Sequence, residues 1–309
     1  MDRPLKFGGE RMPIETAKQL RVGMNAEKRA IDSFEFGSRR IGKDQPVFII
    51  AECGINHGGS YGEAEAMIRA AAKCRADAVK FQTYRTEKRV PGNSPIFDLL
   101  KRCELGEAAH RKLKEVADSL GILFFSTPFD TESVTLLEEI DVPGYKIASF
   151  DIVNYALLRA VCGAGKPVIC STGMADGGEV DRAQRQFAQN GIPYALLHCV
   201  SAYPTKPEDA NLKVIQTLKS IYAGPVGYSD HTLGVKVPVM AVAAGAQLIE
   251  KHFTLDKNGE GPDHRLSADP KEMKRMVRQI KEVEAILGDY RLATIEAERQ
   301  TLVFRRPSQ

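Results

Sequence analysis

Eight short segments rich in β-branched and aromatic residues recur along this chain, and segments with helical periodicity separate them. The eight segments span residues 47–52, 77–82, 122–127, 144–149, 167–172, 194–200, 225–230 and 247–253. They are almost continuously apolar, as is typical of strands buried on both faces of a parallel sheet. Eight strand–helix units in about 240 residues predict an α/β fold of the TIM (β/α)₈ barrel class rather than an open doubly wound sheet.

The segments between these strands predict eight amphipathic helices. They span residues 63–74, 108–120, 131–140, 155–162, 178–190, 209–221, 233–244 and 271–287. The last is the clearest, because Asp269 and Pro270 supply an N-cap and a first-turn signal and Gly288 ends the apolar stripe.

The barrel pattern divides the chain into three parts. Residues 1–33 are polar and basic and are expected to form an N-terminal extension. The barrel domain is expected to span residues 34–290 and to open with a small β-hairpin within residues 34–46. Residues 291–309 are expected to form a short helix and a basic tail. No G-x-G-x-x-G follows the first strand and the sequence has no P-loop, which disfavours the nucleotide-binding folds.

Charge and cysteine content narrow the functional class. The 43 basic and 40 acidic residues leave a net charge of +3, too small to argue for nucleic acid or membrane partners. The six cysteines contain no C-x-x-C pair, so we expect reduced, packed thiols. No apolar run reaches the roughly 18 residues of a membrane span, and the N-terminus has no signal-peptide core. We therefore expect a cytoplasmic protein. A homodimer stays open, because barrels of this size commonly dimerise.

Polar side chains lie at the carboxyl ends of the predicted strands, which form the active-site rim of such a barrel. Lys80 and Lys146 lie inside apolar strands and are expected to point into the barrel mouth. Two buried cations require an anion, because an isolated buried charge costs several kcal/mol. A phosphate with a carboxylate would satisfy them, and the alternative is that both lysines are solvated. The hydroxyl groups expected to assist belong to Thr127, Ser149, Ser171 and Ser229.

Two histidines and two acidic residues lie at the ends of three further strands. His231 and His252 end neighbouring strands, where neutral imidazoles can bind one Mn²⁺, Fe²⁺ or Zn²⁺ ion; a structural role is the alternative. Glu52 ends the first strand and is interpreted as an acid or base, or as the ion-pair partner of a neighbouring lysine. Asp263 follows the eighth strand in a Gly-rich loop, which is either a ligand-binding loop or plain surface.

These strand ends resemble the sialic acid synthase family, which comprises N-acetylneuraminate synthase and its legionaminic, pseudaminic and spore-coat-polysaccharide relatives. The resemblance covers residues 34–288 in the family's order, through the blocks IIAECGINHGG, AVKFQTY, FFSTPFD, YKIAS, ICSTGMA, LLHCVSAYPTKPEDANL, GYSDHTLG and IEKHFTLD followed by GPDH. It implies a TIM barrel that condenses phosphoenolpyruvate with an N-acylated hexosamine aldehyde, giving a nonulosonic (sialic-type) acid and phosphate.

The resemblance also implies roles for individual positions. His231 and His252 look like ligands of a divalent metal, typically Mn²⁺, with Mg²⁺ or Co²⁺ as alternatives. Glu52, Lys80 and Lys146 are expected to be catalytic. The phosphoenolpyruvate shell is expected to comprise Lys80, Thr127, Lys146, Ser149, Ser171, Ser201 and Ser229. The sugar contacts are expected to comprise Gln82, Asn93, Asp151, Tyr203 and Asp263.

The sequence also departs from the family pattern. Family members usually carry a C-terminal antifreeze-like domain, whereas this sequence resembles the catalytic barrel without it. Asp151 stands where N-acetylneuraminate synthases have glutamate, and Ser201 stands where asparagine is common. The sequence therefore does not decide which sugar is the substrate. Two further hypotheses remain: a barrel aldolase that forms a Schiff base at Lys146, and a non-catalytic barrel that binds a sugar phosphate.

Overall fold

Eight parallel strands close into a barrel in the computed structural model, which describes residues 6–7, 10–11, 32–289 and 291–306. The strands are β1 Phe48–Gly54, β2 Ala78–Thr83, β3 Leu123–Pro128, β4 Tyr145–Ile147, β5 Val168–Ser171, β6 Tyr194–Cys199, β7 Val226–Asp230 and β8 Leu248–His252. Each strand pairs with the next in sequence, and β8 closes the barrel on β1. The predicted TIM barrel is confirmed.

Eight helices surround the barrel, at the places that the periodicity predicts. They are α1 Tyr61–Lys73, α2 Glu107–Ser119, α3 Thr131–Glu139, α4 Tyr155–Gly163, α5 Gly177–Gln189, α6 Lys213–Ile221, α7 Lys236–Ala243 and α8 Pro270–Leu287. Asp269 caps the last helix by accepting from the backbone N–H of Glu272. Within the described residues no helix has the length and apolar character needed to cross a membrane.

Two details of the helical layer differ from the prediction. Helix α6 begins at Lys213, because the preceding Pro207–Ala210 forms a 3₁₀ turn and Asn211 (φ 42°) interrupts the helix in a left-handed conformation. Two short helices, Thr86–Arg89 and Phe97–Cys103, lie between β2 and α2 and were not predicted.

A β-hairpin covers the amino-terminal end of the barrel. Ser33–Phe36 pairs antiparallel with Arg39–Gly42, as predicted. The Phe36 ring is fully buried and makes edge-to-face contacts with Phe48 and Phe125, at centroid distances of 5.8 and 5.1 Å. This end is therefore filled by apolar packing, and the polar strand ends lie at the opposite end.

The flanking parts of the chain are described only in places. Lys6–Phe7 pairs with Glu10–Arg11, and most of the expected extension, residues 1–33, lies outside the described residues. After α8, Glu296–Phe304 forms exposed 3₁₀ turns.

Candidate active site

Four ionisable side chains meet inside the carboxyl-terminal mouth of the barrel: Glu52, Lys80, Lys146 and Glu250, which we call the inner cluster. The strand register places Lys80 beside Glu52 on neighbouring strands. The Lys80 ammonium lies 2.8 Å from a Glu52 oxygen and 3.9 Å from Glu250, and the Lys146 ammonium lies 3.8 Å from Glu250. All four side chains are buried, and they come from four different strands of the barrel wall.

Three hydroxyl groups of the predicted anion site contact the inner cluster. Lys80 donates to the Thr127 hydroxyl at 2.9 Å and Lys146 to the Ser171 hydroxyl at 2.6 Å. The Ser229 hydroxyl donates to Glu250 at 3.1 Å. The fourth hydroxyl group, that of Ser149, instead accepts from the backbone N–H of Gly173 at 3.0 Å.

The alternative interpretation of Glu52, the ion-pair partner of a neighbouring lysine, agrees with its contact with Lys80. Glu250, which lies within 4 Å of both lysine ammonium groups, was overlooked. Successive side chains of a strand point to opposite faces, so Glu250 had to share the inner face of β8 with His252. Lys251 points outward, where its ammonium lies 2.7 Å from Asp230, both fully buried. That pair ties β7 to β8 next to both histidines.

Burial and pairing give the two carboxyl groups different proton affinities. Burial raises the pKa of Glu52 to about 7, against the opposing effect of Lys80. Burial acts on Glu250 too, but Lys146, Lys80 and the Ser229 hydrogen bond outweigh it and lower its pKa. Two carboxylates raise the pKa of Lys80, whereas burial lowers the pKa of Lys146. Near neutral pH, Glu52 is therefore able to gain or lose a proton while Glu250 and Lys80 stay charged.

The two strand-end histidines face each other beside the inner cluster. The ring centroids of His231 and His252 lie 5.4 Å apart. Burial lowers the pKa of both rings, most strongly for His252, so both are neutral at pH 7. His231 Nδ1 donates to the Val200 carbonyl at 2.7 Å, which leaves its Nε2 with a free lone pair.

This pair of imidazoles fits a divalent metal. The buried Nδ1 of His252 has no hydrogen-bond partner, which is costly for a buried polar atom. Metal–nitrogen bonds of about 2.1 Å would place two imidazole centroids on one ion at roughly 5 Å, close to the separation seen here. Among the described residues no third histidine, cysteine or carboxylate completes a metal-binding group, so the other ligands would be water or substrate oxygens.

A second set of side chains lies further out, and we call it the outer rim group: Gln82, Arg89, Asp151, Tyr203 and Asp263. Gln82 donates to Glu52 at 3.4 Å and accepts from Arg89 at 3.0 Å. The Tyr203 ring lies 4.2 Å from the His231 ring, and an Asp263 oxygen lies 3.8 Å from His252 Nδ1. Asp151 accepts from the Asn154 side chain and acts electrostatically on Arg89.

The structure thus brings four of the five predicted sugar-contacting residues around the inner cluster. The fifth, Asn93, lies in the exposed turn of residues 91–94, and within the described residues it has no hydrogen bond to the others. Arg89 was missed, because it belongs to a one-turn helix that carries no periodic signal.

Gly173, after β5, is a further residue that sequence reasoning missed. A Cβ atom at this position would lie 2.5 Å from the Ser201 hydroxyl and 2.8 Å from both the Ser149 hydroxyl and the Cys199 sulfur. A side chain at this position would therefore displace the hydroxyl groups of Ser149 and Ser201. The Ser201 hydroxyl is buried without a hydrogen-bond partner, as expected of a group that contacts a ligand. A glycine directly after a predicted strand was the available signal.

Comparisons with known proteins establish the family of this chain. The sequence profile of the NeuB family matches residues 67–291, most of the barrel. The chain belongs to the NeuB family. A protein of Methanocaldococcus jannaschii is 50% identical over 279 residues, which cover 90% of this chain and 83% of that protein.

Two of the similar proteins are named as synthases of sialic-type acids. The N,N'-diacetyllegionaminic acid synthase of Legionella pneumophila is 43% identical over 271 residues, which cover 82% of this chain and 76% of the relative. The crystal structure of the N-acetylneuraminic acid synthetase of Leptospira borgpetersenii is similar with a TM-score of 0.86 and 44% identity. The superposed region covers 88% of this chain and 96% of the synthetase chain. The resemblance inferred from the strand ends is confirmed at the level of the family.

Proposed function

We propose that this protein condenses phosphoenolpyruvate with the aldehyde of an N-acyl hexosamine, giving a nonulosonic acid and phosphate. The inner cluster is the observation that carries the proposal. The Lys80 ammonium lies beside the Glu52 carboxyl group, whose pKa is about 7, and the Lys146 ammonium lies 3.8 Å from Glu250. Two neutral imidazoles lie next to this cluster. The names of the relatives, synthases of legionaminic and N-acetylneuraminic acid, support the same class of product.

The inner cluster has the charge that a phosphoenolpyruvate site requires. When Glu52 is protonated, two ammonium groups face the single charge of Glu250, so the cluster carries an excess of about one positive charge. The Lys80 and Lys146 ammonium groups would hold the phosphate and carboxylate. Because they are fixed by Thr127 and Ser171, they would stabilise the leaving phosphate without reorganising.

The reaction follows from these charges. C3 of phosphoenolpyruvate attacks the aldehyde carbon and forms the C–C bond, and the protonated Glu52 carboxyl group gives its proton to the former aldehyde oxygen. The positive charge that develops at C2 is captured by water, which gives a proton to the Glu52 carboxylate. The tetrahedral carbon then loses phosphate by cleavage of its C–O bond, the proton of its hydroxyl group passes to the departing phosphate, and the keto acid remains. One water is consumed for each phosphate released.

His231 and His252 are the residues that would hold a divalent metal, with Mn²⁺ as the expected ion and Mg²⁺ or Co²⁺ as alternatives. When bound, it would supply Lewis-acid polarisation of the aldehyde oxygen. Both rings are neutral and keep a free nitrogen, as such a ligand must. The cytoplasmic location and the homodimer expected from the sequence stay predictions.

Isotope-labelled turnover tests the proposal. The protein is incubated with Mn²⁺, a panel of N-acyl hexosamines, and phosphoenolpyruvate labelled with ¹⁸O at the bridging oxygen. We expect phosphate release with the label in the phosphate, because the C–O bond breaks. Label retained in the keto acid would contradict this mechanism. No phosphate with any sugar would favour the non-catalytic barrel.

Replacing Glu52 by glutamine tests the base. Glu52→Gln keeps the shape of the side chain but removes proton transfer, so we expect kcat to fall by roughly 10²- to 10⁴-fold. Calorimetric binding of phosphoenolpyruvate should persist, because both lysines remain. Glu65→Gln, at an exposed ion pair with Arg69 on α1, is the matched control and should behave like the wild type. A kcat for Glu52→Gln equal to the wild-type value would exclude Glu52 as the base.

A Schiff-base aldolase is the second candidate, because burial lowers the pKa of Lys146 and so favours its nucleophilic amine form. Borohydride reduction in the presence of pyruvate would trap such an adduct. We expect no adduct by mass spectrometry, because Lys146 donates to Ser171 and lies 3.8 Å from Glu250, which favour its ammonium form. An increase in mass at Lys146 would establish the aldolase instead.

A further inference from the structure

A fully buried ion pair lies directly behind the two strand-end histidines. The Lys251 ammonium lies 2.7 Å from the Asp230 carboxylate, and both side chains are 0% exposed. Each is the chain neighbour of one imidazole: Asp230 directly precedes His231. Lys251 directly precedes His252 on β8. Because successive side chains of a strand point to opposite faces, the pair lies outside the barrel wall while the imidazoles face the mouth.

The ion pair lies where the backbone pairing of β7 with β8 ends. Among the described residues, the register of the two strands stops at Asp230 and Lys251, and His231 follows after the end of β7. The sheet ladder therefore does not itself fix His231 beside His252. Lys251 spans this step, because its ammonium also donates to the backbone carbonyl of Thr232. It thus contacts the residue before His231 and the residue after it.

The turn that carries His231 is also closed upon itself. The Thr232 hydroxyl donates to the two Asp230 carboxylate oxygens at 2.9 and 3.1 Å, and the Thr232 backbone N–H donates to one of them at 3.2 Å. Thr232 is fully buried. The carboxylate therefore has fixed partners on its own turn, and the Lys251 ammonium joins that turn to β8.

On its other side, His231 is held by the loop after β6. Its Nδ1 donates to the Val200 carbonyl at 2.7 Å, and its own carbonyl accepts from the Thr205 backbone N–H at 3.0 Å. These contacts orient the ring, whereas the contacts of Lys251 reach the strand that carries His252. A buried ion pair often stabilises a protein no better than apolar side chains of similar volume. Its directional bonds, however, fix the position of the groups that it joins.

We propose that Asp230 and Lys251 are positioning residues for metal binding, which set the 5.4 Å separation of the His231 and His252 rings. This inference rests on the metal site of the proposed function and names the groups that preorganise it. Groups that orient metal ligands from behind typically change metal affinity by about 10- to 100-fold. Because the pair is neutral as a whole, it would orient the imidazoles without adding net charge beside a cation.

Metal binding without substrate tests the inference. The double variant Asp230→Asn/Lys251→Met removes both charges together, so neither is left buried alone, and the asparagine oxygen can still accept from Thr232. We expect the Kd for Mn²⁺, measured by calorimetry on the folded protein, to rise at least roughly tenfold. The absorption spectrum of bound Co²⁺ should change too, because it depends on ligand geometry. The midpoint of urea unfolding of the metal-free protein should change little.

A control pair and a milder variant accompany this measurement. Lys257→Met/Glu272→Gln removes an ion pair of 2.8 Å between the loop after β8 and α8. It should keep the wild-type Kd for Mn²⁺, because that pair does not join β7 to β8. Thr232→Val keeps the ion pair but removes the hydroxyl that holds the Asp230 carboxylate. We expect it to raise the Kd for Mn²⁺ about threefold, the effect of one hydrogen bond.

The outcomes separate this inference from the proposed function. A lower urea midpoint of the double variant with an unchanged Kd for Mn²⁺ would show a merely structural role and overturn the inference. If the double variant does not fold, the Kd of Thr232→Val decides, and a wild-type value overturns the inference. Wild-type binding that is lost in His252→Ala but kept in the double variant would defeat this inference alone. A His252→Ala variant that binds Mn²⁺ as tightly as the wild type would defeat the proposed metal site and this inference with it.

Discussion

The inner cluster and the outer rim group solve the same problem, a charge away from water, in different ways. In the inner cluster every charged side chain comes from a strand, is at most 4% exposed, and lies within 4 Å of an opposite charge. In the outer rim group most side chains come from loops or a one-turn helix, Tyr203 is 43% exposed, and Arg89 relies on stacking. The inner arrangement is fixed by the barrel, whereas the outer one depends on segments that can vary without disturbing it.

This difference indicates which elements of the fold suit reacting groups and which suit groups that select the substrate. Groups that must not reorganise during a reaction are best held by strands, whose register fixes their height in the barrel. Groups that select among similar sugars need reach and adjustability, which loops provide. On this basis, substitutions in the inner cluster should change both the free energy of unfolding and kcat. Substitutions in the outer rim group should change only the KM for the sugar.

Replacing Lys80 by methionine should break the inner cluster and have the largest effect. The change leaves Glu52 and Glu250 as two buried carboxyl groups without their shared cation. We expect the free energy of unfolding to fall by about 3–5 kcal/mol, measured by urea unfolding, and phosphoenolpyruvate binding to be lost. Lys88→Met, at an exposed pair with Glu132, is the control and should change stability by less than about 0.5 kcal/mol. Equal stability of the two variants would contradict the view that the inner charges depend on one another.

The inner cluster could be predicted largely from the sequence, and the outer rim group only in part. Glu52, Lys80 and Lys146 lie near the carboxyl ends of their strands, and parallel strands of a barrel bring their carboxyl ends to one mouth. The position of Glu250 follows from the alternation of β8, although it was overlooked. Arg89 could not be found in this way, because its position depends on stacking against Phe129, which comes from a different strand end. Asn93 illustrates the same limit, since a motif match does not fix the path of a loop.

His57 shows the effect of burial without that of an ion pair, because this buried side chain has no carboxylate partner among the residues that the structure describes. Burial lowers its pKa to about 4, and its Nδ1 accepts from the Gly59 backbone N–H. The unfolded chain therefore binds more protons than the folded one between about pH 6.5 and pH 4, and stability falls as the pH falls through that window. A shift of this size corresponds to roughly 3 kcal/mol.

The matched variant is His57→Asn, whose side-chain oxygen can accept from the same N–H. Urea unfolding at pH 7 and at pH 4 should give a smaller difference in the free energy of unfolding for this variant than for the wild type. The carboxyl groups are common to both proteins, so the comparison isolates His57. Identical slopes of stability against pH would show that His57 is not held neutral by burial.

Replacing Asp151 by asparagine tests the outer rim group and should have the smallest effect. The variant keeps the size of the side chain and its place beside Asn154, and it removes one of the two carboxylates that face Arg89. We expect KM for the N-acyl hexosamine to change by about three- to tenfold, the value of one hydrogen bond, with KM for phosphoenolpyruvate and the free energy of unfolding unchanged. Asp118→Asn, at an exposed pair on α2, is the control. A KM for phosphoenolpyruvate that moves as far as the KM for the sugar would show that the two regions are energetically one site.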